Sequence, residues 1–174
     1  MKRLRLAMFL APLILSLGAA AQQPSSTDAF KPLAFLQGTW EAKTNGSSGV
    51  NSNGKYSFGL ELKNHVMARH AVSLESCKGP ESYDCKHGDL LYIYPECEGV
   101  LHAIYFDNEG HVIKYNVTTP NATTAVFQSD GSLPGPQFQL IYERKGDTMF
   151  GKFQMHMPGQ NEWKSYIEWS GDKK

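Results

Sequence analysis

Hydrophobic and polar residues alternate along most of this chain with the period of two that is typical of half-buried β-strands. The alternation begins at Gly38 and continues nearly to the end of the sequence. Before it, Phe30, Leu33 and Leu36 are spaced three residues apart, which is a helical spacing. The pattern therefore predicts one short helix over 29–36, followed by strands.

Turn residues divide the alternating region into ten predicted strands. These strands are Thr39–Thr44, Lys55–Leu62, His65–Glu75, Asp89–Tyr94, Val100–Phe106, His111–Thr118, Thr123–Gln128, Gln137–Arg144, Thr148–Met157 and Trp163–Trp169. Short connections make neighbouring strands antiparallel, and so many strands must close on themselves or form a second sheet to hide their edges. We predict an all-β fold, an up-and-down antiparallel barrel of about ten strands with a short N-terminal helix. A two-sheet sandwich is the alternative.

The N-terminal segment has the pattern of a secretory signal peptide. Basic residues open the chain, an apolar run covers 6–17, and small residues end at Ala21. The apolar run is shorter than the roughly 20 residues that a membrane-spanning helix needs. The predicted organisation is a signal peptide (1–21), a linker (22–29) and a single calycin-like barrel domain (30–172). We predict a secreted or periplasmic protein that has no membrane attachment after cleavage.

Composition and charge narrow the range of partners. The chain has 174 residues, of which 41% are hydrophobic and 20% are charged, as expected for one globular domain. Seventeen basic residues balance seventeen acidic residues, so no basic field is available to attract nucleic acid. We predict no nucleic-acid partner, and the oligomeric state stays open.

If the protein is exported, its three cysteines can form disulfides, because oxidising compartments permit them. Cys77 and Cys85 lie in one turn-rich stretch, whereas Cys97 follows a predicted strand that would hold it about 30 Å from Cys85. We predict a bridge between Cys77 and Cys85. Cys97 is then either an unpaired thiol or the site of an intermolecular bridge.

The segment around the first strand, Phe35-Leu36-Gln37-Gly38-Thr39-Trp40-Glu41, resembles the opening of calycin barrels. Lipocalins, fatty-acid-binding proteins and nitrobindin-like domains share a short helix that leads into Gly-x-Trp on the first strand. Ten strands favour the latter two families over lipocalins, which have eight. The stretch LAFLQGTWE is most similar to a group of exported, uncharacterised bacterial calycin-like proteins. The resemblance implies a structural role for Trp40, which would pack over the closed end of the barrel beneath the helix.

Nitrobindin-like relatives also imply haem, held by a histidine late in the chain. The late histidine here is His156, which shares a strand face with Lys152 and Gln154 and is therefore predicted to face solvent. The Tyr-Pro pair that such domains carry after Gly-x-Trp is absent from this sequence. We predict no cofactor, with haem as the alternative. The histidines form no HxH or HExxH arrangement, so we predict no metal site.

Eight residues on predicted inward strand faces are candidates for lining a cavity. They are Tyr56, Phe58, His70, His102, Phe138, Tyr142, Phe153 and Met155. His70 shares its face with Ala68 and Val72, so the pattern predicts an imidazole inside the barrel, as a ligand contact or as a hydrogen-bonded core histidine. His65, His87 and His111 fall at strand starts or in loops and are predicted to be solvated.

Three functions follow from these candidates. No GxSxG, P-loop or GxGxxG motif is present, which favours binding over catalysis. We predict an exported barrel that binds a small apolar ligand in its interior. One alternative is a cavity enzyme of isomerase or lyase type, in which His70 acts with Tyr56 or Tyr92 as acid and base. The other is a barrel filled by its own side chains, which binds a protein partner through its outer surface.

Overall fold

The computed structural model describes residues 26–44, 52–73, 86–96, 99–132 and 134–174. The predicted signal peptide, half of the predicted linker and the predicted bridge between Cys77 and Cys85 lie outside these ranges, as does Cys97. In the described ranges no helix is both long and apolar enough to span a membrane. The described residues cover most of the predicted barrel domain.

Ten β-strands make up nearly all of the regular structure in the described residues. They are β1 (Gly38–Thr44), β2 (Asn53–Glu61), β3 (Val66–Ser73), β4 (Gly88–Pro95), β5 (Leu101–Asp107), β6 (Val112–Asn121), β7 (Thr124–Ser129), β8 (Gln137–Lys145), β9 (Thr148–His156) and β10 (Lys164–Lys173). Each corresponds to one strand that the sequence predicts, with ends that differ by at most four residues.

The strands form one closed barrel in which each strand pairs with its neighbours along the chain. All pairs are antiparallel, and β1 pairs with β10 to close the cylinder. At this seam Trp40 lies opposite Lys173, while on its other side it lies opposite Tyr56 of β2. The prediction of an all-β, up-and-down antiparallel barrel of ten strands is confirmed, and the two-sheet alternative is excluded.

One end of the barrel is covered by the segment that precedes β1. In place of one helix over 29–36, a single α-helical turn (α1, Ser26–Ala29) is followed by a 3-10 helix over Lys31–Leu36. Leu33 and Leu36 of this 3-10 helix are fully buried. Beneath it Trp40 is also fully buried, and its indole N–H donates a hydrogen bond of 2.9 Å to the carbonyl of Leu36. We call this end the plugged end.

The packed core continues from the plug into the barrel. It includes the fully buried Met67, Leu91, Phe127 and Tyr142, which come from β3, β4, β7 and β8. Because consecutive strands run in opposite directions, β1 leaves the plugged end while β2 returns to it. The other ends of the strands define the opposite end, where the interior is not filled.

Candidate ligand cavity

A cavity of about 730 Å³ lies inside the half of the barrel that faces the opposite end. Every strand except β7 contributes to its lining. It extends from Thr44 and Ser73, at the far ends of β1 and β3, inward to Tyr56, Arg69 and Trp169. One wall is apolar, whereas the inner end and the other wall carry polar and charged groups.

The apolar wall is formed by side chains of β8, β9 and β10. Phe138 and Phe153 stack with nearly parallel rings whose centroids are 5.9 Å apart. The rings of Tyr166 and Phe153 are nearly perpendicular, with centroids 6.1 Å apart, and Leu140 and Met155 also line this wall. The inward-pointing aromatic residues that the sequence predicts on β8 and β9 thus cover part of the cavity without filling it.

The inner end of the cavity is dominated by Arg69 of β3. Its guanidinium donates a hydrogen bond of 2.7 Å to Asp89, and both side chains are buried. It also lies over the rings of Tyr56 and Tyr142, with 5.5 Å and 5.8 Å from the Arg69 Cζ to the ring centroids. Burial alone would lower the pKa of Arg69, but the negative charge of Asp89 and the neighbouring tyrosines together outweigh burial and raise that pKa. Arg69 is therefore a permanent cation held in an aromatic setting.

His87 sits between two carboxylates at the edge of the cavity. Its Nδ1 lies 3.1 Å from Glu109, and its Nε2 lies 3.4 Å from Asp89 and 3.1 Å from the hydroxyl of Tyr105. The hydrogen bond to Asp89 raises the pKa of His87, burial opposes the rise, and the hydrogen bond to Glu109 adds to it. Both ring nitrogens are thus placed to donate when the imidazole is charged.

The hydrogen bonds continue from His87 to a second histidine. Tyr105 donates from its hydroxyl to Asp107 at 3.2 Å, and Asp107 accepts at 2.9 Å from both the backbone N–H and the ring of His111. Burial, together with the charges of Asp89 and Asp107, raises the pKa of Tyr105, which stays a neutral phenol. Burial opposes ionisation of Asp107, but the hydrogen bonds from His111 lower its pKa. The imidazole–carboxylate cluster consists of His87, Asp89, Tyr105, Asp107, Glu109 and His111.

Four polar atoms near the inner end are buried without a hydrogen-bond partner in the described residues. They are Tyr56 Oη, Arg69 Nε, Tyr142 Oη and Trp169 Nε1. Burial raises the pKa of Tyr56 to about 12. The Trp169 indole N–H, which approaches the Tyr56 hydroxyl without meeting hydrogen-bond geometry, and the charge of Arg69 both act to lower it. Buried polar groups in folded proteins are nearly always paired, so these orphaned atoms require an explanation.

Trp169 reaches the cavity because of a glycine on the adjacent strand. Gly151 of β9 lies directly opposite Trp169 of β10 in the sheet. A Cβ atom at Gly151 would overlap the indole ring. The absence of a side chain at this position therefore gives the indole its place against the sheet.

The eight predicted cavity residues fall into three groups. Tyr56, Phe138, Phe153 and Met155 line the cavity. Phe58 and Tyr142 are buried in the packed core, outside the lining. His70 and His102 are on the outer face of the barrel, so the prediction that they point inward is wrong.

The His70 side chain points outward, and not inward as predicted, because of its neighbour Arg69. The His70 side chain is 50% exposed, and its Nε2 lies 2.9 Å from a carboxylate oxygen of Glu61 on the outer surface. Because side chains alternate along a strand, the inward position of Arg69 fixes the outward position of His70. The pattern misleads because it treats a charged residue as solvent-facing, whereas Arg69 is paired with a buried Asp89. His102 is likewise outside, beside Tyr94 and 3.6 Å from Glu96.

Sequence reasoning missed Arg69, Asp89, Tyr105 and His87 as cavity residues. The sequence predicts a solvated His87, yet three quarters of its side chain is buried. A usable signal was present in β4, where Asp89 alternates in phase with Leu91 and Ile93. An acid in the buried phase of a strand needs a cationic partner, and Arg69 on the preceding strand is the available one.

The histidines do not fit the haem that the resemblance implies. His156 is outside the cavity lining, with its ring 5.5 Å from that of Trp163. His87 has both nitrogens engaged by its neighbours, and the His111 side chain is 63% exposed with its Nδ1 held by Asp107. Among the described side chains, no group of three or more His, Cys, Asp or Glu residues is arranged to hold a metal ion.

Comparisons with known proteins assign no family. A scan against protein-family models finds no match, and a search of curated proteins finds none. The closed barrel of ten antiparallel strands is compatible with a calycin-like fold. The structure establishes the barrel architecture, and the comparisons do not assign the chain to a family.

Proposed function

We propose that this chain is an exported calycin-like barrel that binds a small, largely apolar molecule in its interior. The observation that carries the proposal is the cavity of about 730 Å³. Its volume is within the usual range of about 300–1,000 Å³ for small-molecule sites, and such sites combine apolar walls with a few polar groups. The aromatic wall supplies the apolar surface, and the inner end supplies the polar groups. Export rests on the signal-peptide pattern of residues 1–21.

The alternatives have less support. The enzyme hypothesis depended on an inward His70, whose imidazole is on the outer surface and hydrogen-bonded to Glu61. The filled-barrel hypothesis requires an interior packed by its own side chains, which the volume of the cavity argues against. Binding in the cavity needs neither condition.

Two substitutions on one strand test whether the cavity is the binding site. Ala71 lines the cavity, and its neighbour His70 faces outward, so phenylalanine at either position adds the same group to opposite faces of β3. We expect the wild type to bind the neutral fluorescent probe N-phenyl-1-naphthylamine. Ala71→Phe should weaken binding by about tenfold, since the new ring occupies ligand space. His70→Phe should change it by less than about twofold.

Circular dichroism of both variants checks that each keeps the fold. A wild type that binds no probe at micromolar concentrations would contradict the proposal. Equal weakening by both variants would place the probe outside the cavity and would contradict it as well.

A further inference from the structure

The orphaned polar atoms at the inner end point to a specific feature of the ligand. We propose that this end of the cavity recognises an uncharged hydrogen-bond acceptor, a ketone, ester or amide carbonyl, on an otherwise apolar molecule. The inference rests on the proposed function, because it assigns a chemical class to the molecule bound in the same cavity.

Three donors supply the recognition. Tyr56, Arg69 and Trp169 each line the cavity, and each has a buried polar atom without a partner among the described residues. The indole and the guanidinium can only donate through Nε1 and Nε, and a phenol with a raised pKa keeps its proton and donates as well. The inner end therefore offers several hydrogens and needs an acceptor.

The donors lie in one neighbourhood although they come from three strands. The ring of Tyr142 is 5.9 Å from that of Tyr56 and 5.7 Å from that of Trp169, measured between centroids. The guanidinium of Arg69 lies over both tyrosine rings. A carbonyl oxygen has two lone pairs and can accept from two donors, so one small group can serve this neighbourhood.

The charges of the lining exclude a carboxylate as the acceptor. Arg69 is already neutralised by Asp89 at 2.7 Å. Asp107 and Glu109 add negative charge to the lining, and the remaining permanent cation among the described lining residues, Lys55, is exposed. A carboxylate would lose its hydration without gaining an unpaired cation, whereas a neutral carbonyl loses little. The inner end thus favours an uncharged acceptor.

The aromatic wall fixes the position of the rest of the ligand. Phe138, Phe153 and Met155 line the cavity between the inner end and the opposite end. An apolar body lying on this wall places its polar end beside Tyr56 and Trp169. The expected ligand is therefore an apolar molecule with its carbonyl at one end.

Competition between three probes of equal chain length tests the inference. 2-Decanone, decane and decanoate are used to displace N-phenyl-1-naphthylamine from the wild type. We expect 2-decanone to bind about five times more tightly than decane, the worth of one hydrogen bond to a buried donor, and decanoate to bind most weakly. Tyr56→Phe should reduce the ketone preference to about twofold or less without changing the affinity for decane. Tyr94→Phe, a tyrosine outside the lining, should keep the wild-type preference.

Each outcome separates the two proposals. Equal binding of ketone and alkane would overturn the carbonyl inference while the proposed function stands. Tightest binding of decanoate would also overturn it, in favour of an anion site. If none of the three compounds displaces a bound probe, the carbonyl inference fails, whereas a wild type that binds no probe defeats the proposed function itself.

Thermal unfolding of Tyr56→Phe without ligand provides a second readout. An orphaned hydroxyl stabilises nothing in the empty protein, so the variant should unfold at the wild-type temperature or slightly above it. A clear loss of thermal stability would show that the hydroxyl is satisfied in the empty protein, by a buried water for example. That result would overturn its assignment as a donor reserved for the ligand.

Discussion

The plugged end and the opposite end of the barrel are built from different kinds of side chain. Phe30, Leu33, Leu36 and Trp40 at the plugged end are each at most 1% exposed. At the opposite end, ionised and hydrogen-bonded groups of the imidazole–carboxylate cluster surround a cavity. One barrel thus combines an end that gains stability by close apolar packing with an end that leaves space and pairs its polar groups with one another.

The difference shows how a small barrel can hold a cavity and remain folded. Interiors normally pack as densely as organic crystals, and each unfilled volume loses contacts that would stabilise the fold. The apolar plug provides such contacts at one end. At the other end, the buried charges are paired with one another, which avoids the free-energy cost of burying a charge without a partner. Mutations at the plugged end should therefore destabilise the fold by loss of apolar packing, and mutations at the opposite end by loss of charge pairing.

The largest effect is expected at the plug. Trp40→Ala removes a fully buried indole together with its hydrogen bond to Leu36, and should lower the free energy of unfolding by about 3 to 5 kcal/mol. Trp163→Ala, just before β10 at the opposite end, removes a partly exposed indole and should cost less than about 1 kcal/mol. Thermal unfolding compares the two variants. Similar losses would refute the structural distinction between the ends.

A somewhat smaller effect is expected from the buried ion pair. Asp89→Ala leaves the charge of Arg69 buried and unpaired, and should cost about 3 kcal/mol. The double variant Arg69→Met with Asp89→Ala removes both charges and should regain most of that loss. Urea unfolding measures both. A double variant no more stable than Asp89→Ala would show that the pair does more than balance charge.

The smallest effect depends on pH. The folded-state pKa of His87 is raised above its ordinary value of 6.5 by hydrogen bonds to Asp89 and Glu109. Its contribution is therefore full below about pH 6.5 and is lost as the pH rises through the raised folded value. His87→Gln should destabilise the protein more at pH 5.5 than at pH 9, by about 1 kcal/mol.

Urea unfolding at the two pH values measures this difference. His65→Gln, in the exposed turn after β2 at the plugged end, gives the baseline. A His87→Gln effect that is equal at both pH values, or larger at pH 9, would contradict the assignment of a charged His87.

The sequence predicts the barrel well because its signals are local. Turn residues mark where each strand ends, and short connections determine which strands pair. The ten strands and their order can therefore be predicted from the turn residues alone. The face of a strand is harder to predict when both faces are mixed. In β3 the inward phase contains Met67 and Arg69, while the outward phase contains Ala68 and His70, and only the partner Asp89 decides between them.

The candidate site was less predictable because its groups meet only after folding. His87 precedes β4, Tyr105 lies on β5, and their contact at 3.1 Å depends on the sheet register. Glu109 joins them from the turn that follows β5. Residue spacing within a single segment cannot predict this arrangement, because its groups come from different segments. What the sequence did indicate was the aromatic content of β8 and β9, which forms the apolar wall.

The seam between β1 and β10 joins the first strand of the barrel to the last. Its backbone pairs link residues such as Trp40 and Lys173, which are separated by nearly the whole domain. A ribosome finishes β10 after all the other strands, so the cylinder has an open edge throughout synthesis and can close only when the final strand is available. A chain that ends before β10 should therefore leave β1 and β9 as unpaired edge strands, which are templates for aggregation.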